Sequence, residues 1–253
     1  MYRYDTADTS LYLKAVFALF RHEPAITAAL ATAHPGRVPD VVATEPGRGL
    51  MLLREFGNEL GNRDALLWAD GLRSTAEIQR AWVDRAQELA ALGAPARGLE
   101  SLRGEVQGGE ALRAAWVRMA GLGLPATIVH GDLHPWNCVV EPHGIRIVDW
   151  SDAAIGPPFL DLGVALFHVS DDDVRARLVE AYLEPWWGIA SEADLREAAV
   201  LGEVLGSVYQ SVSYREINAA LEPADRWLFA GEEQRWRERA VELATRLLEL
   251  GSE

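Results

Sequence analysis

Residues 127–137 read Thr-Ile-Val-His130-Gly131-Asp132-Leu133-His134-Pro135-Trp136-Asn137, and a second apolar run, Ile145 to Val148, ends in Asp149-Trp150. Thr127 to His130 has strand character, while Gly131 and Pro135 oppose a helix, so the polar residues fall on a loop. Cys138 to Glu141 and Ile145 to Trp150 read as two short strands around the turn Pro142-His143-Gly144. Asp132 and Asn137 are therefore loop residues five positions apart, and Asp149 closes the strand that follows. His130 and His134 have the spacing of a zinc-binding helix pair. The helix is opposed, however, and the general-base Glu of His-Glu-x-x-His is absent.

An amide oxygen from Asn137 and a carboxylate from Asp149 suit a hard cation such as magnesium. Phosphoryl transfer asks little covalent chemistry of a protein: it needs alignment and neutralised charge at the transferred group. One carboxylate beside an acceptor hydroxyl and two oxygen ligands for a metal meet that need. Histidines at 130 and 134 are expected to hold the loop by hydrogen bonding, and Trp136 and Trp150 to pack.

The string His-Gly-Asp-Leu-His-Pro-Trp-Asn followed by Ile-Val-Asp-Trp resembles the aminoglycoside phosphotransferase and choline kinase-like enzymes, the phosphotransferase enzyme family with the protein-kinase fold. These carry His-Gly-Asp where protein kinases carry His-Arg-Asp, and a later Asp after a Pro-x-x-x spacing, here Pro157-Pro158-Phe159-Leu160-Asp161-Leu162. The resemblance implies an α+β, bilobal fold: a small strand-rich N-terminal lobe over residues 1–57 and a larger helical lobe over 58–253. It implies ATP and Mg2+, with Asp132 catalytic, Asn137 and Asp149 on the metal, and Asp161 tethering the loop. Read without the family, Asp161 is a helix-opening acid favoured by the dipole.

The N-terminal part fits the same plan. Leu11 to Phe17 reads as a strand, Pro24 to Thr32 as a helix, and Val38 to Ala43 and Leu50 to Phe56 as two strands around Glu45-Pro46-Gly47. By resemblance Lys14 grips the ATP phosphates and pairs with Glu23, and Arg54, Glu55 and Phe56 form the hinge that meets adenine through its backbone. Lys14 is the only lysine beside 23 arginines. In a chain so biased, a retained lysine marks a place where the compact ammonium suits and arginine's fork does not. One departure stands out. The family's Gly-rich loop and first strand have no counterpart, since the first glycine is Gly36. Tyr2 to Asp5 would then be the second strand and Asp8-Thr9-Ser10 the turn into the next. This gap motivates an alternative reading, a kinase-fold binding protein without efficient ATP turnover.

Beyond residue 60 the pattern turns helical. Ser74-Thr75-Ala76-Glu77 has the form of a capping box opening a helix to about Leu92, and 98–120 reads as a second helical stretch. From Leu160 helices continue with breaks near Pro185, Ser191 and Glu222-Pro223, and Asp171-Asp172-Asp173 marks a helix start. Acceptor-binding candidates on this side are Asp152, Trp187, Glu203 and Tyr209, with Glu184, Trp186, Gln210 and Tyr214 as neighbours. Carboxylates and tryptophans there would suit a hydroxylated, cationic small molecule, aminoglycoside-, choline- or sugar-like. The formal net charge of -14 argues against a nucleic-acid partner. No apolar run is long enough for a membrane span, no signal-peptide pattern opens the chain, and the single cysteine, Cys138, forms no internal disulfide; these point to the cytoplasm.

Overall fold

The computed structural model describes residues 1–7, 9–61 and 64–250, with the side chains of the last helix described to residue 249. Asp8, in the expected turn before Ser10, lies outside the described residues. The architecture is α+β and protein-kinase-like. A four-stranded antiparallel sheet has the order β1-β2-β4-β3, from β1 (Tyr2–Asp5), β2 (Ser10–Ala15), β3 (Val41–Glu45) and β4 (Leu50–Arg54). Register places Tyr12 opposite Leu53 and Lys14 opposite Met51. Along β4 the side chains alternate, with Met51 and Leu53 buried.

Helix α1 (Glu23–Ala33) carries Pro24 in its first turn, where the missing N–H costs nothing. Its Ile26 and Leu30, one turn apart, are fully buried, a gain of about 1.5–3 kcal/mol each. Glu23 and Thr27 are buried too.

After Gly57 the strand β5 (Asn58–Glu59) pairs with β7 (Cys138–Glu141), itself paired with β8 (Gly144–Ile147). The Val148–Trp150 end of the expected strand is loop. β6 (Thr127–Val129) pairs with β9 (Ala154–Gly156), a strand the sequence did not signal. These small sheets frame the loop 130–137 and Asp149.

The helices begin with α2 (Ala65–Ala81), and here the capping-box reading is corrected. The N-cap is Asp64, whose carboxylate accepts from the Leu66 N–H at 2.8 Å. Ser74 and Thr75 sit in mid-helix, and the Thr75 hydroxyl donates to the Gly71 carbonyl instead. Helices α3 (Ala86–Ala91), α4 (Leu99–Leu102) and α5 (Glu110–Gly121) follow; the stretch 98–120 is thus broken into pieces. After α6 (Leu162–Ala165), α7 (Asp172–Leu183) starts at Asp171, whose side chain accepts from the Val174 N–H. The central α8 (Glu192–Ala220) is buried on every side between Leu201 and Ser211, with α5, α6 and α9 (Glu232–Leu250) packed around it. No helix among the described residues is long and apolar enough to cross a membrane.

Candidate active site

Three separate parts of the chain meet at Lys14. Its ammonium lies 2.5 Å from Glu23 Oε1 and 2.8 Å from Asp149 Oδ1, joining β2, α1 and the loop after β8. Glu23 is almost fully buried and Lys14 largely so. Burial disfavours charge on Lys14, but the two carboxylates outweigh it and hold its pKa above the usual lysine value. Burial pushes Glu23 upward against the pull of Lys14. Burial would also raise Asp149, yet the Lys14 ammonium more than offsets it and the carboxyl stays below its ordinary range. Asp149 holds φ at 61°, a left-handed conformation that is strained for a residue with a side chain.

The loop 130–137 is held at several points. His130 is fully buried, and its Nε2 lies 3.0 Å from the Val148 carbonyl while its Nδ1 accepts from the Asp132 N–H at 3.3 Å. That pair of contacts assigns the neutral Nε2–H tautomer, and burial lowers the ring's pKa. His134 Nδ1 accepts from the Asn137 N–H, and its Nε2 lies 3.3 Å from Asp132 Oδ2. Burial disfavours the His134 cation, but the Asp132 carboxylate lifts its pKa above normal. Gly131 has φ 85°, and a Cβ there would stand 2.3 Å from the Asp152 carbonyl oxygen. Only glycine fits this approach.

Asp161 does not cap its own short helix. Its Oδ1 accepts from the Gly131 N–H at 2.8 Å; its Oδ2 accepts from the His130 N–H at 2.9 Å and from Gln79 Nε2 at 2.7 Å. The dipole reading of Asp161 thus gives way to a direct bond between this carboxylate and the loop backbone. Gln79, in turn, accepts from the Tyr182 hydroxyl.

Two cavities flank this loop. The first, of about 420 Å³, lies between the four-stranded sheet and the loop. Lys14, Glu23, Asn137 and Asp149 line one end, and Tyr12, Leu53, Phe56 and Val139 the other. The rings of Tyr12 and Phe56 stand 5.8 Å apart. Arg54 and Glu55 do not line it: the Arg54 N–H donates to Asp40 and the Glu55 N–H to Ser10. Of the three hinge candidates, the structure brings only Phe56 to the cavity, and its N–H takes no protein acceptor among the described residues.

The second cavity, of about 560 Å³, opens on the other side of the loop and takes in Asp132, Asp152, Gln210 and Tyr214. Burial lifts Asp152 to about 7, and the neighbouring Asp132 charge adds to the rise. Gln210 Nε2 donates to the Gly131 carbonyl, and the Tyr209 hydroxyl to the Asp152 carbonyl at 2.7 Å. Tyr209 is buried behind the wall and positions the loop rather than facing the cavity. Glu203 lies elsewhere: it is buried and ion-paired to both Arg175 and Arg239, a tie between α7, α8 and α9. Trp187 is exposed beyond the end of α7, Trp186 packs in the core against Phe159, and Glu184 pairs with Arg73. Contributors the sequence did not signal include Gln79 and the segment Phe17 to Phe20, which is a short 3-10 turn rather than strand end.

The donor set around Asn137 fits a hard cation. Its Nδ2 donates to the Asp132 carbonyl at 2.9 Å and reaches Asp132 Oδ2 at 3.3 Å. No protein donor takes its Oδ1 among the described residues, so the amide oxygen and an ionised Asp149 are available to a cation that favours few protein ligands plus phosphate and water. No cluster of three or more His, Cys, Asp or Glu suited to a metal occurs among the described residues.

The sequence model of the phosphotransferase enzyme family matches residues 2–199. No curated protein matches the chain in sequence. Solved structures do. A choline kinase, LicA, from Streptococcus pneumoniae superposes with a TM-score of 0.65 at 14% identity, covering 96% of this chain and 89% of that one. The macrolide 2'-phosphotransferase MphH from Brachybacterium faecium gives 0.59 at 22%, covering 88% and 84%. The aminoglycoside enzyme APH(2")-IIIa, solved with GDP and kanamycin, gives 0.56 at 14%, covering 93% and 86%. At these identities the likeness is one of fold.

Proposed function

The chain belongs to the phosphotransferase enzyme family, and on that premise we propose that it moves the γ-phosphoryl group of ATP, with magnesium, to a hydroxyl of a small molecule. The observation that carries this reading is the Lys14 ammonium bridging Glu23 and Asp149 at the mouth of a cavity that also holds Asn137.

In this reading residues 1–57 and 58–253 act as two lobes that share the nucleotide. Tyr12, Leu53 and Phe56 take the purine, with the free Phe56 N–H as a donor to its edge. Lys14, held in place by Glu23, neutralises the phosphates. Asn137 Oδ1 and the Asp149 carboxylate hold magnesium, which supplies charge neutralisation on the phosphates. Asp132, restrained by Asn137 and His134, faces the second cavity, where it orients the acceptor hydroxyl and takes its proton. Asp161 and His130 keep the loop in register. Alignment and electrostatics supply most of the rate in such a reaction.

The test is Asp149→Ala, assayed by ADP release against a panel of hydroxylated amines and sugars, with ATP and magnesium titrated by tryptophan fluorescence. Loss of magnesium-dependent turnover is expected. Turnover equal to the parent's would refute the assignment, and a parent that binds no nucleotide at millimolar concentration would favour a non-catalytic binding protein.

A further inference from the structure

The second cavity has an uneven chemistry. At its loop end stand the carboxylates of Asp132 and Asp152; no Lys, Arg or His lines it. Asp152 makes no direct ion pair among the described residues: the Arg97 guanidinium attracts it from behind Ser213, to whose hydroxyl Arg97 donates, and the hydroxyls of Ser213 and Ser151 reach Asp152 at 3.3 and 3.4 Å. It is a carboxylate short of donors at the edge of a pocket. Apart from Gln210 and Tyr214 the remaining wall is apolar, built chiefly from Phe17, Phe20, Ile217, Leu221, Leu228 and Phe229. Two of these stand open to water: Phe17 is 73% exposed and Leu228 52%. Apolar surface that rims a pocket is surface a ligand seated in that pocket can cover.

Resting on the phosphotransferase reading above, we infer that the acceptor is an amino alcohol with a single basic nitrogen and a bulky apolar body. The nitrogen pairs with Asp152, the hydroxyl lies at Asp132, and the body lies on the wall of Phe17, Ile217 and Leu228.

The alternatives fit less well. An aminoglycoside brings several ammonium groups to a cavity with two carboxylates, one of them needed at the hydroxyl. Its remaining hydroxyls would be buried against apolar side chains, at about 1–3 kcal/mol for each unpaired group. A choline-sized cation leaves most of the 560 Å³ unfilled, a volume within the range of about 300–1,000 Å³ typical of larger ligands. A neutral sugar brings no cation into contact with Asp152.

The balance of the step is simple: the acceptor oxygen forms the new bond to phosphorus, the bond to the ADP oxygen breaks, and the hydroxyl proton passes to Asp132. The experiment compares three probes on the full chain: 2-(dimethylamino)ethanol, 2-[benzyl(methyl)amino]ethanol and kanamycin. Binding is measured by calorimetry without nucleotide, and transfer by ADP release. Burying one phenyl group predicts that the benzyl compound binds tighter than the dimethyl compound by about tenfold to a hundredfold. L228S, at an exposed position that tolerates the change, narrows this gap, and D152N weakens both amines. A gap under about threefold, no effect of L228S on it, or tighter binding of kanamycin overturns the inference. Transfer confined to kanamycin or the dimethyl compound overturns it while upholding the enzyme. Selective binding of the benzyl compound with no transfer to any probe upholds the cavity's chemistry and refutes the enzyme.

Discussion

Asp161 is the residue that holds the loop 130–137 to the core, and its removal gives the most quantitative prediction. Three donors converge on one buried carboxylate: the His130 N–H, the Gly131 N–H and Gln79 Nε2. Burial pushes the carboxyl's pKa up to about 7 against the pull of these three donors. Asp161→Ala strands all three donors in the interior. At about 1–3 kcal/mol per stranded group, with some relaxation and non-additivity, the loss is about 3–6 kcal/mol. That is a large part of the roughly 5–15 kcal/mol that holds a typical domain together. Asp161→Asn keeps one acceptor oxygen and turns its NH₂ toward another donor, so about half the loss is expected. Urea unfolding followed by circular dichroism gives both values from the midpoint and slope. Turnover should fall in the same order, because Asp132 follows Gly131 directly. The reasoning is refuted if D161A lies within about 1 kcal/mol of the parent, or if D161N is the worse of the two.

Three further outcomes follow from the geometry. Lys14→Arg places a planar fork where Glu23 and Asp149 enclose a compact ammonium, and kcat/KM for ATP should drop on the order of a hundredfold; steady-state kinetics that stay within about threefold of the parent contradict this. Asp152 titrates near 7 in the fold against about 3.9 unfolded, so its contribution to stability is full below pH 4 and lost as pH rises through 7. Asp152→Asn should therefore raise the melting temperature over the parent at pH 8 and lose that advantage at pH 4, and an advantage independent of pH would count against the buried-carboxylate argument. Gly206→Ala puts a methyl 2.1 Å from the Leu160 carbonyl oxygen and 3.0 Å from Gly163 Cα, both backbone, so an overpacking cost of about 3 kcal/mol and a fall in Tm of about 6–12 °C are expected by calorimetry.

The parts of the site that were legible in the sequence are those whose chemistry is local. Asp132, Asn137 and Asp149 sit in one short stretch, and the structure keeps them together: Asn137 reaches Asp132, and Asn137 and Asp149 line one cavity with Lys14. Lys14 was legible for another reason: in a chain that uses arginine everywhere else, the exception marks itself. Its partners lie 9 and 135 positions away, and only the fold brings them within hydrogen-bonding distance. Where a residue's use depends on distant partners, the sequence misled. Glu203 looked free to bind a cation, yet Arg175 and Arg239 already neutralise it. Ser74 to Glu77 has a capping pattern, but a helix already under way from Asp64 leaves no free N–H groups there to cap.

The apolar wall of the second cavity shows why this limit is physical. Phe17, Phe20, Ile217 and Leu228 are the same residue types that build a core, and burial against protein and burial against a ligand reward the same side chains. No local pattern can separate the two. What separates them is whether the fold supplies another apolar surface to meet them, and at this cavity it does not: Phe17 and Leu228 remain open to water beside Asp152, a carboxylate with no direct ion pair among the described residues. On the inference drawn above, the information about substrate resides in an unfinished contact, apolar on one side and charged on the other, and the proposed ligand that completes both at once carries an apolar body and a single positive charge.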